Sequence, residues 1–206
     1  MEDGSEEGDR ALGNCGWATR DPLYQKYHDE EWGVPVTDDS KLLEMLILEG
    51  MQAGLSWFTV LKKRDAFRQA FAQFMPLAVA NFSSVEIESF LSNPALIRNR
   101  LKIESAIRNA RAFVQIQREE GSFAAYLWSF VNNVPEIHHY TDPNQILPFS
   151  PLAERISHDL KRRGFRFVGP TICYSYCQAV GIVMDHLTHC ERYTVLARPR
   201  PVKLPH

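Results

Sequence analysis

Glu49 stands where two apolar helical runs meet, in Glu49-Gly50-Met51-Gln52-Ala53-Gly54-Leu55-Ser56-Trp57. Residues 42–48 precede it, and residues 58–71 follow, carrying Lys62, Lys63 and Arg64. A carboxylate among so many apolar residues is costly to bury unless it finds a partner. Gly50 and Gly54 allow positive φ or the close approach of another group. A carboxylate ending one helix and an indole opening the next could floor a pocket: the first would hydrogen-bond a ligand and the second would stack on it. The same residues could instead form a helix corner with a solvated Glu and a core Trp.

A second set able to do chemistry is Cys15, His28, His186 and Cys190. Two thiolates and two imidazoles make a closed tetrahedral zinc shell. His186 and Cys190 are at i and i+4, and they are expected on one face of a last helix over residues 171–190. Cys15 and His28 come from the start of the fold, with a spacing that is not that of a standard zinc finger. A full ligand set leaves no position for an activated water, so the expected role is structural. Cys173 and Cys177 share the i, i+4 spacing but stand among Ile172, Tyr174, Tyr176, Ala179 and Val180, and they read as buried thiols. His138, His139 and His189 read as solvent-facing.

Arg98, Arg100 and Lys102 alternate through residues 97–103, with Asn99 among them. A short hairpin between two helices can aim backbone N–H groups at a phosphate, with the cations holding its neighbours. Lys161, Arg162, Arg163 and Arg166, just before the last helix, offer a second such place. Both could equally be ordinary basic helix ends.

The elements that must position these residues read as helices throughout. Asp21 and Pro22 suit the start of a short helix that puts Tyr24, Tyr27 and His28 on one face before the turn at Trp32-Gly33-Val34-Pro35. Trp17, Trp32 and Trp57 add to an aromatic density that could be a packed core or the walls of a site. Asp38 and Asp39 cap a helix expected to end near Glu49, and a second is expected over 56–71. Ser83 and Glu86 form a capping-box pattern. A long helix is expected over 102–119, closed by Gly121, with Ile103, Ala106, Ile107, Ala110 and Phe113 at helical period. Helices over 123–131 and 150–163 flank an irregular stretch containing Pro135, Pro143 and Pro148. No strand of useful length and no internal repeat is apparent, so the class is all-α. Residues 15–190 read as one domain, residues 1–14 as a disordered acidic tail, and residues 191–206 as a Pro-rich basic tail.

The chain has 206 residues, 45% hydrophobic and 23% charged, which is the composition of an ordinary globular protein. Its net charge of −2 hides an asymmetry, because Glu2, Asp3, Glu6, Glu7 and Asp9 face only Arg10 in the first segment, leaving the remainder weakly positive. Four cysteines without a signal-peptide pattern point to a reducing compartment and to thiol or metal roles. No run is long and apolar enough for a bilayer span, so no membrane partner is expected.

Taken together, these segments resemble the constitutive 3-methyladenine DNA glycosylases of type I. The resemblance runs from Cys15 to Cys190. It rests on Cys-Gly-Trp at 15–17, Asp-Pro-Leu-Tyr at 21–24, Tyr-His-Asp at 27–29, Glu-Trp-Gly-Val-Pro at 31–35 and the stretch from Glu49 to Trp57. It continues through Val-Leu-Lys-Lys-Arg at 60–64, Ile-Arg-Asn-Arg at 97–100, Trp-Ser-Phe-Val-Asn at 128–132, Arg-Gly-Phe at 163–165 and Ile-Cys-Tyr-Ser at 172–175. The chain departs from the family's hairpin in carrying Leu101 where a Gly is usual. The resemblance implies an all-α helix-hairpin-helix fold with a structural zinc on Cys15, His28, His186 and Cys190. It implies hydrolysis of the N-glycosidic bond of N3-methyladenine in double-stranded DNA, the base leaving the stack to be read. Glu49 would be the catalytic base reader, with Trp57, Tyr27, Tyr24 and Trp17 as the walls. Gly54, Leu55, Arg98, Asn99, Arg100, Lys102 and Arg163 would meet DNA, with residues 52–55 filling the gap left by the base. The pocket motif has no lysine suited to a Schiff base, so a monofunctional enzyme without strand cleavage is expected. A monomer is expected, cytoplasmic in a bacterium or nuclear in a eukaryote. The rivals are a zinc-stapled module that only binds nucleic acid and a related enzyme with a shifted base preference.

Overall fold

The computed structural model describes residues 15–18 and 21–204; the acidic segment 1–14 lies outside the described residues. Helix α1 (Pro22–Glu30) starts as its residues require. Asp21 accepts the N–H of Leu23, and Pro22 occupies the first turn, where its missing N–H costs nothing. Helix α2 (Asp39–Gln52) is capped by Asp38, whose side chain accepts the N–H of Lys41. Every residue of α2 from Leu42 to Glu49 is buried, so α2 is the central rod. It runs one turn past its expected end, which puts Glu49 inside its last turn rather than at a corner.

The single helix expected over 56–71 is two: α3 (Trp57–Leu61) and α4 (Arg64–Ala70). At the break the two side chains diverge. Lys63 reaches outward to the carbonyls of Pro94 and Ala95, while Arg64 turns inward to two glutamates. Two short helices follow, α5 (Pro76–Ala80) and α6 (Ser84–Ser92), the second opened by the predicted capping box of Ser83 and Glu86. Helix α7 (Arg100–Glu120) packs on α5 and α2 and ends at Gly121, whose φ of 83° suits glycine. It begins two residues earlier than expected, with Asn99 as its cap, so Arg100 and Lys102 lie in its first turn. Helices α8 (Phe123–Ser129), α9 (Pro151–Arg162) and α10 (Pro170–Ala179) complete the body, α10 lying against α9 and α2.

Two departures from the sequence reading concern the C-terminal part. The expected helix over 171–190 stops at Ala179. Gly181 lies at φ +71° with its Cα so close to the Val34–Pro35 backbone that an added Cβ would sit 2.4 Å from it. The Gln178 carbonyl meanwhile accepts the N–H of Gly33. The chain leaves the helical path to make this junction. It then forms β2 (Val183–Met184), which pairs in parallel with β1 (Glu136–Ile137), the one small exception to an otherwise helical fold among the described residues. His186 and Cys190 therefore stand on a loop, not on one helix face. The second departure is in residues 191–206, read as a tail. Helix α11 (Glu191–Leu196) forms there, Tyr193, Val202 and Leu204 pack on the core, and Val202 N–H donates to the Asn133 carbonyl.

Candidate active site: an aromatic cavity around Glu49

A cavity of about 230 Å³ opens between α1, the end of α2, the start of α3 and α10. Trp17, Tyr24 and Tyr27 line one side, Glu49 and Gln52 come from α2, and Trp57 comes from α3. Trp32, Ile146, Ser175 and Gln178 complete the lining. The rings form one cluster: Tyr27 and Trp57 have centroids 5.3 Å apart, Trp17 and Tyr24 5.1 Å, and Trp17 and Trp32 5.0 Å. The five residues expected to build a pocket are thus brought together. Helical spacing accounts for Tyr24 and Tyr27, and the tight turn through Gly54 (φ +77°) carries the chain from Glu49 round to Trp57.

The Glu49 carboxyl makes no hydrogen bond or ion pair with any described residue, and burial alone pushes its pKa up to about 8. A buried carboxyl without a partner is expensive to keep, and such groups concentrate at functional sites. Trp57 adds a buried indole Nε1–H that also lacks a protein partner. Burial raises the Tyr24 and Tyr27 phenols, and the nearby Glu49 raises them further, so both remain neutral donors. The cavity therefore holds one titratable carboxyl at neutral pH, between electron-rich faces.

A second cleft of about 200 Å³ shares Glu49, Gln52 and Ser175 with the first and continues it past Gly54 and Leu55. Leu55 is 41% exposed at its rim. Lys102 binds this corner to α7, its Nζ donating to the carbonyls of Met51 at 2.9 Å and Ala53 at 2.5 Å. Among the other basic residues singled out, Arg98 is exposed. Arg100 pairs with Glu88, and Arg163 is committed to Asp159 and Glu119. Arg163 borders a larger open cleft of about 640 Å³, but Glu120, Glu154 and Asp159 make that cleft a poor match for a polyanion.

The four metal candidates converge at the far side of α1. Their ligand atoms all lie within 4.8 Å of one another, and all four residues are buried. Sulfur–nitrogen separations are 3.4 Å for Cys15–His186, 3.5 Å for Cys190–His186 and 3.7 Å for Cys190–His28. A tetrahedral shell with bonds of about 2.3 Å to sulfur and 2.0–2.1 Å to nitrogen separates its ligand atoms by roughly 3.3–3.8 Å. The ring orientations also fit. His186 Nε2 faces the Trp32 carbonyl at 2.9 Å and His28 Nδ1 faces Asp29 at 2.7 Å. Both partners only accept, so those nitrogens carry the protons and the other two present lone pairs to the centre. The cluster could hold a metal ion, and it joins the ends of the described chain.

Comparison with known proteins follows the same lines. A profile described as methyladenine glycosylase matches residues 17–193. The chain belongs to the methyladenine glycosylase family. It is 48% identical over 179 residues to DNA-3-methyladenine glycosylase 1 of Escherichia coli, spanning 87% of this chain and 96% of that one. It is 42% identical over 176 residues to DNA-3-methyladenine glycosylase of Haemophilus influenzae, spanning 85% and 95%. A crystal structure of a variant of 3-methyladenine DNA glycosylase I in complex with 3-methyladenine superposes with a TM-score of 0.85 at 34% identity, covering 92% of this chain and 99% of that one. The resemblance read from the motifs is therefore correct, and the protein is a glycosylase, a hydrolase. Within this family chain, sequence reasoning missed Ser175, Gln178 and Ile146 as cavity residues. Ser175 and Gln178 are at i, i+3 on α10, a spacing that would have put them on one face had that helix been expected to border the site.

Proposed function

We propose that this methyladenine glycosylase excises N3-methyladenine from alkylated duplex DNA by hydrolysing its N-glycosidic bond. The observation that carries the reading is the buried Glu49 carboxyl, without a partner among the described residues, inside a cavity walled by Trp57, Tyr27, Tyr24 and Trp17. The names and the base-bound complex among its relatives support the same substrate. Methylation at N3 makes the nucleoside cationic, so the base departs readily and little acid catalysis is required. A cationic ring also gains roughly 0.5–2 kcal/mol on electron-rich aromatic faces. Flipping costs a few kcal/mol, least for a damaged base, which favours the lesion over its neighbours. The Glu49 carboxylate then accepts from the exocyclic amino group on that edge of the base, and its ionised form is favoured by the positive charge beside it. Water attacks the sugar.

No lysine lines the cavity, and the nearest singled out, Lys102, is held by two carbonyls. This supports a monofunctional reaction. Around the site, Gly54 and Leu55 occupy the gap left by the base. Arg98, Asn99, Arg100 and Lys102, at the junction of α6 and α7, act as the DNA-facing hairpin, and Arg163 is assigned a lesser role because it is more covered than Arg100, whose pair with Glu88 is exposed. Cys15, His28, His186 and Cys190 hold a structural zinc, closed to water and to substrate. The enzyme works as a monomer, in the cytoplasm of a bacterium or the nucleus of a eukaryote. No helix among the described residues is long and apolar enough to cross a membrane.

The test is release of free base from methylated duplex DNA, read by chromatography, for wild type beside Glu49→Gln. Wild type should release 3-methyladenine and leave the strand intact, and Glu49→Gln should bind the DNA but release base at least about 100-fold more slowly, the lower end of the range for a single acid–base or electrostatic group. No release by folded wild type that still binds DNA would replace the enzyme reading with a binding module. A borohydride-trapped adduct would overturn the monofunctional assignment.

A further inference from the structure

Gln178 and Asp185 form a pair that the reaction above does not use. Gln178 lines the cavity from the last turn of α10. Its Nε2 donates to Asp185 Oδ2 at 2.7 Å. Asp185 is fully buried; the same oxygen accepts from the Tyr174 hydroxyl at 2.6 Å, and Oδ1 lies 2.6 Å from His138 Nδ1. A carboxylate offers only lone pairs, so the Gln178 amide must face it with its NH2 end. The amide oxygen is then the end left over, and it has no hydrogen-bond partner among the described residues. The backbone of Gln178 is fixed as well, since its carbonyl accepts the N–H of Gly33 at 2.9 Å. Reversing the amide would set oxygen against a buried carboxylate and forfeit the bond.

We infer that Gln178 is a second base-reading residue, and that Asp185 is a positioning residue that fixes which end of the Gln178 amide the base meets. The inference rests on the function proposed above. It gives the cavity a fixed acceptor, Gln178 Oε1, in addition to the Glu49 carboxyl. A purine with an exocyclic amino group brings a donor to that acceptor. Its 6-oxo counterpart brings lone pairs, and two facing acceptors repel. A site built to hydrogen-bond one group rejects the analogue lacking it far more strongly than an apolar wall can.

The experiment titrates free 3-methyladenine and free 3-methylhypoxanthine, its 6-oxo counterpart, into wild type, Gln178→Leu and Asp185→Asn. Quenching of tryptophan fluorescence reports binding, because Trp17 and Trp57 line the cavity. Wild type should prefer 3-methyladenine. Gln178→Leu should weaken 3-methyladenine about tenfold, the effect of one hydrogen bond, and leave the oxo base within a few-fold, so the preference collapses. In Asp185→Asn the new amide can donate to the Gln178 oxygen, which frees Gln178 to turn its NH2 toward the cavity. The preference should then fall or reverse in a protein that melts like wild type. A purely structural role would weaken both bases equally, and that result, or an unchanged preference in Gln178→Leu, overturns the inference. Unchanged preference in a folded Asp185→Asn removes the positioning role. If wild type binds neither base, the function proposed above fails and this inference with it; if wild type discriminates and Gln178→Leu discriminates equally, this inference alone fails.

Discussion

A single carboxyl dominates the residue scale. The folded-state pKa of Glu49, about 8, lies above the usual carboxylate value, because burial disfavours its charge. The sign follows: folding favours the protonated form, so the cost of Glu49 is absent below about pH 4.5 and grows as pH rises through about 8. Glu49→Gln removes that cost. The variant should match wild type in stability near pH 4.5 and exceed it at pH 9, with an upper limit of roughly 5 kcal/mol. Urea denaturation at the two pH values measures this, and equal curves at pH 9 would show that Glu49 finds a partner in solution. A site that destabilises its own fold in this way is typical of binding energy held ready for a ligand. The carboxyl, its glycines and the indole could be singled out in the sequence, but the stretch alone left a solvated corner open, because only the packed fold shows that Glu49 is buried. Gln178 could not be singled out, because a lone amide in an apolar helix carries no signal until Asp185 is seen beside it.

At the scale of elements, one guanidinium ties α1, α2 and α4 together. Arg64, buried at the start of α4, donates to both oxygens of Glu31 at 2.8 Å and to Glu44 at 2.6 Å. Burial pushes both glutamates up, but Arg64 with Lys41 outweighs it, leaving Glu31 down at about 2 and Glu44 below its usual value. Arg64→Met strips the buried Glu44 of its closest partner. Arg68 and Lys41 remain within reach of Glu44, so the loss should fall near the low end for a broken buried pair, about 3 kcal/mol. The depressed pKa values give this contribution its pH window: it is present above about pH 4.5 and lost as pH falls toward 2. Wild type and Arg64→Met should therefore converge in acid, and a constant gap in melting temperature from pH 7 to pH 3 would contradict the assignment. Helix starts at Asp21, Asp38 and Ser83 could be read from capping residues, which act locally. The end of α10 could not, because Gly181 breaks the helix to meet Val34 and Pro35, some 145 residues away in the chain.

For the whole molecule, the Cys15, His28, His186 and Cys190 cluster brings the start of the described chain against its C-terminal part. A metal held at a thousandfold its dissociation constant contributes about 4 kcal/mol to the state that binds it. In a chain of this size that corresponds to roughly 8–16 °C in melting temperature. Chelator should lower the melting temperature of wild type by about that amount, with release of zinc, and should leave Cys190→Ser unchanged. Coincident melting with and without chelator would argue against a structural metal. The ligand types could be picked out because two thiols and two imidazoles make a full zinc set, although Cys173, Cys177, His138, His139 and His189 competed with them. Their arrangement could not, because two of them sit on a loop that only the packed fold defines.

Helix α1 carries both a metal candidate, His28, and two cavity walls, Tyr24 and Tyr27, while among the helices its chief neighbour is the short α3. It is held on one side by the cluster and on the other by Tyr27 against Trp57 and by the Arg64–Glu31 pair just past its end. Native-state hydrogen exchange reads such a segment as a separate cooperative unit, with an opening free energy below that of the whole. The amides of α1 should exchange ahead of those in α2 and α7, and the gap should widen when metal is withdrawn. An opening confined to α1 would take Tyr24 and Tyr27 out of the cavity around Glu49. Loss of the metal would then show first as loss of Tyr24 and Tyr27 from the cavity, ahead of any change in the global melting temperature.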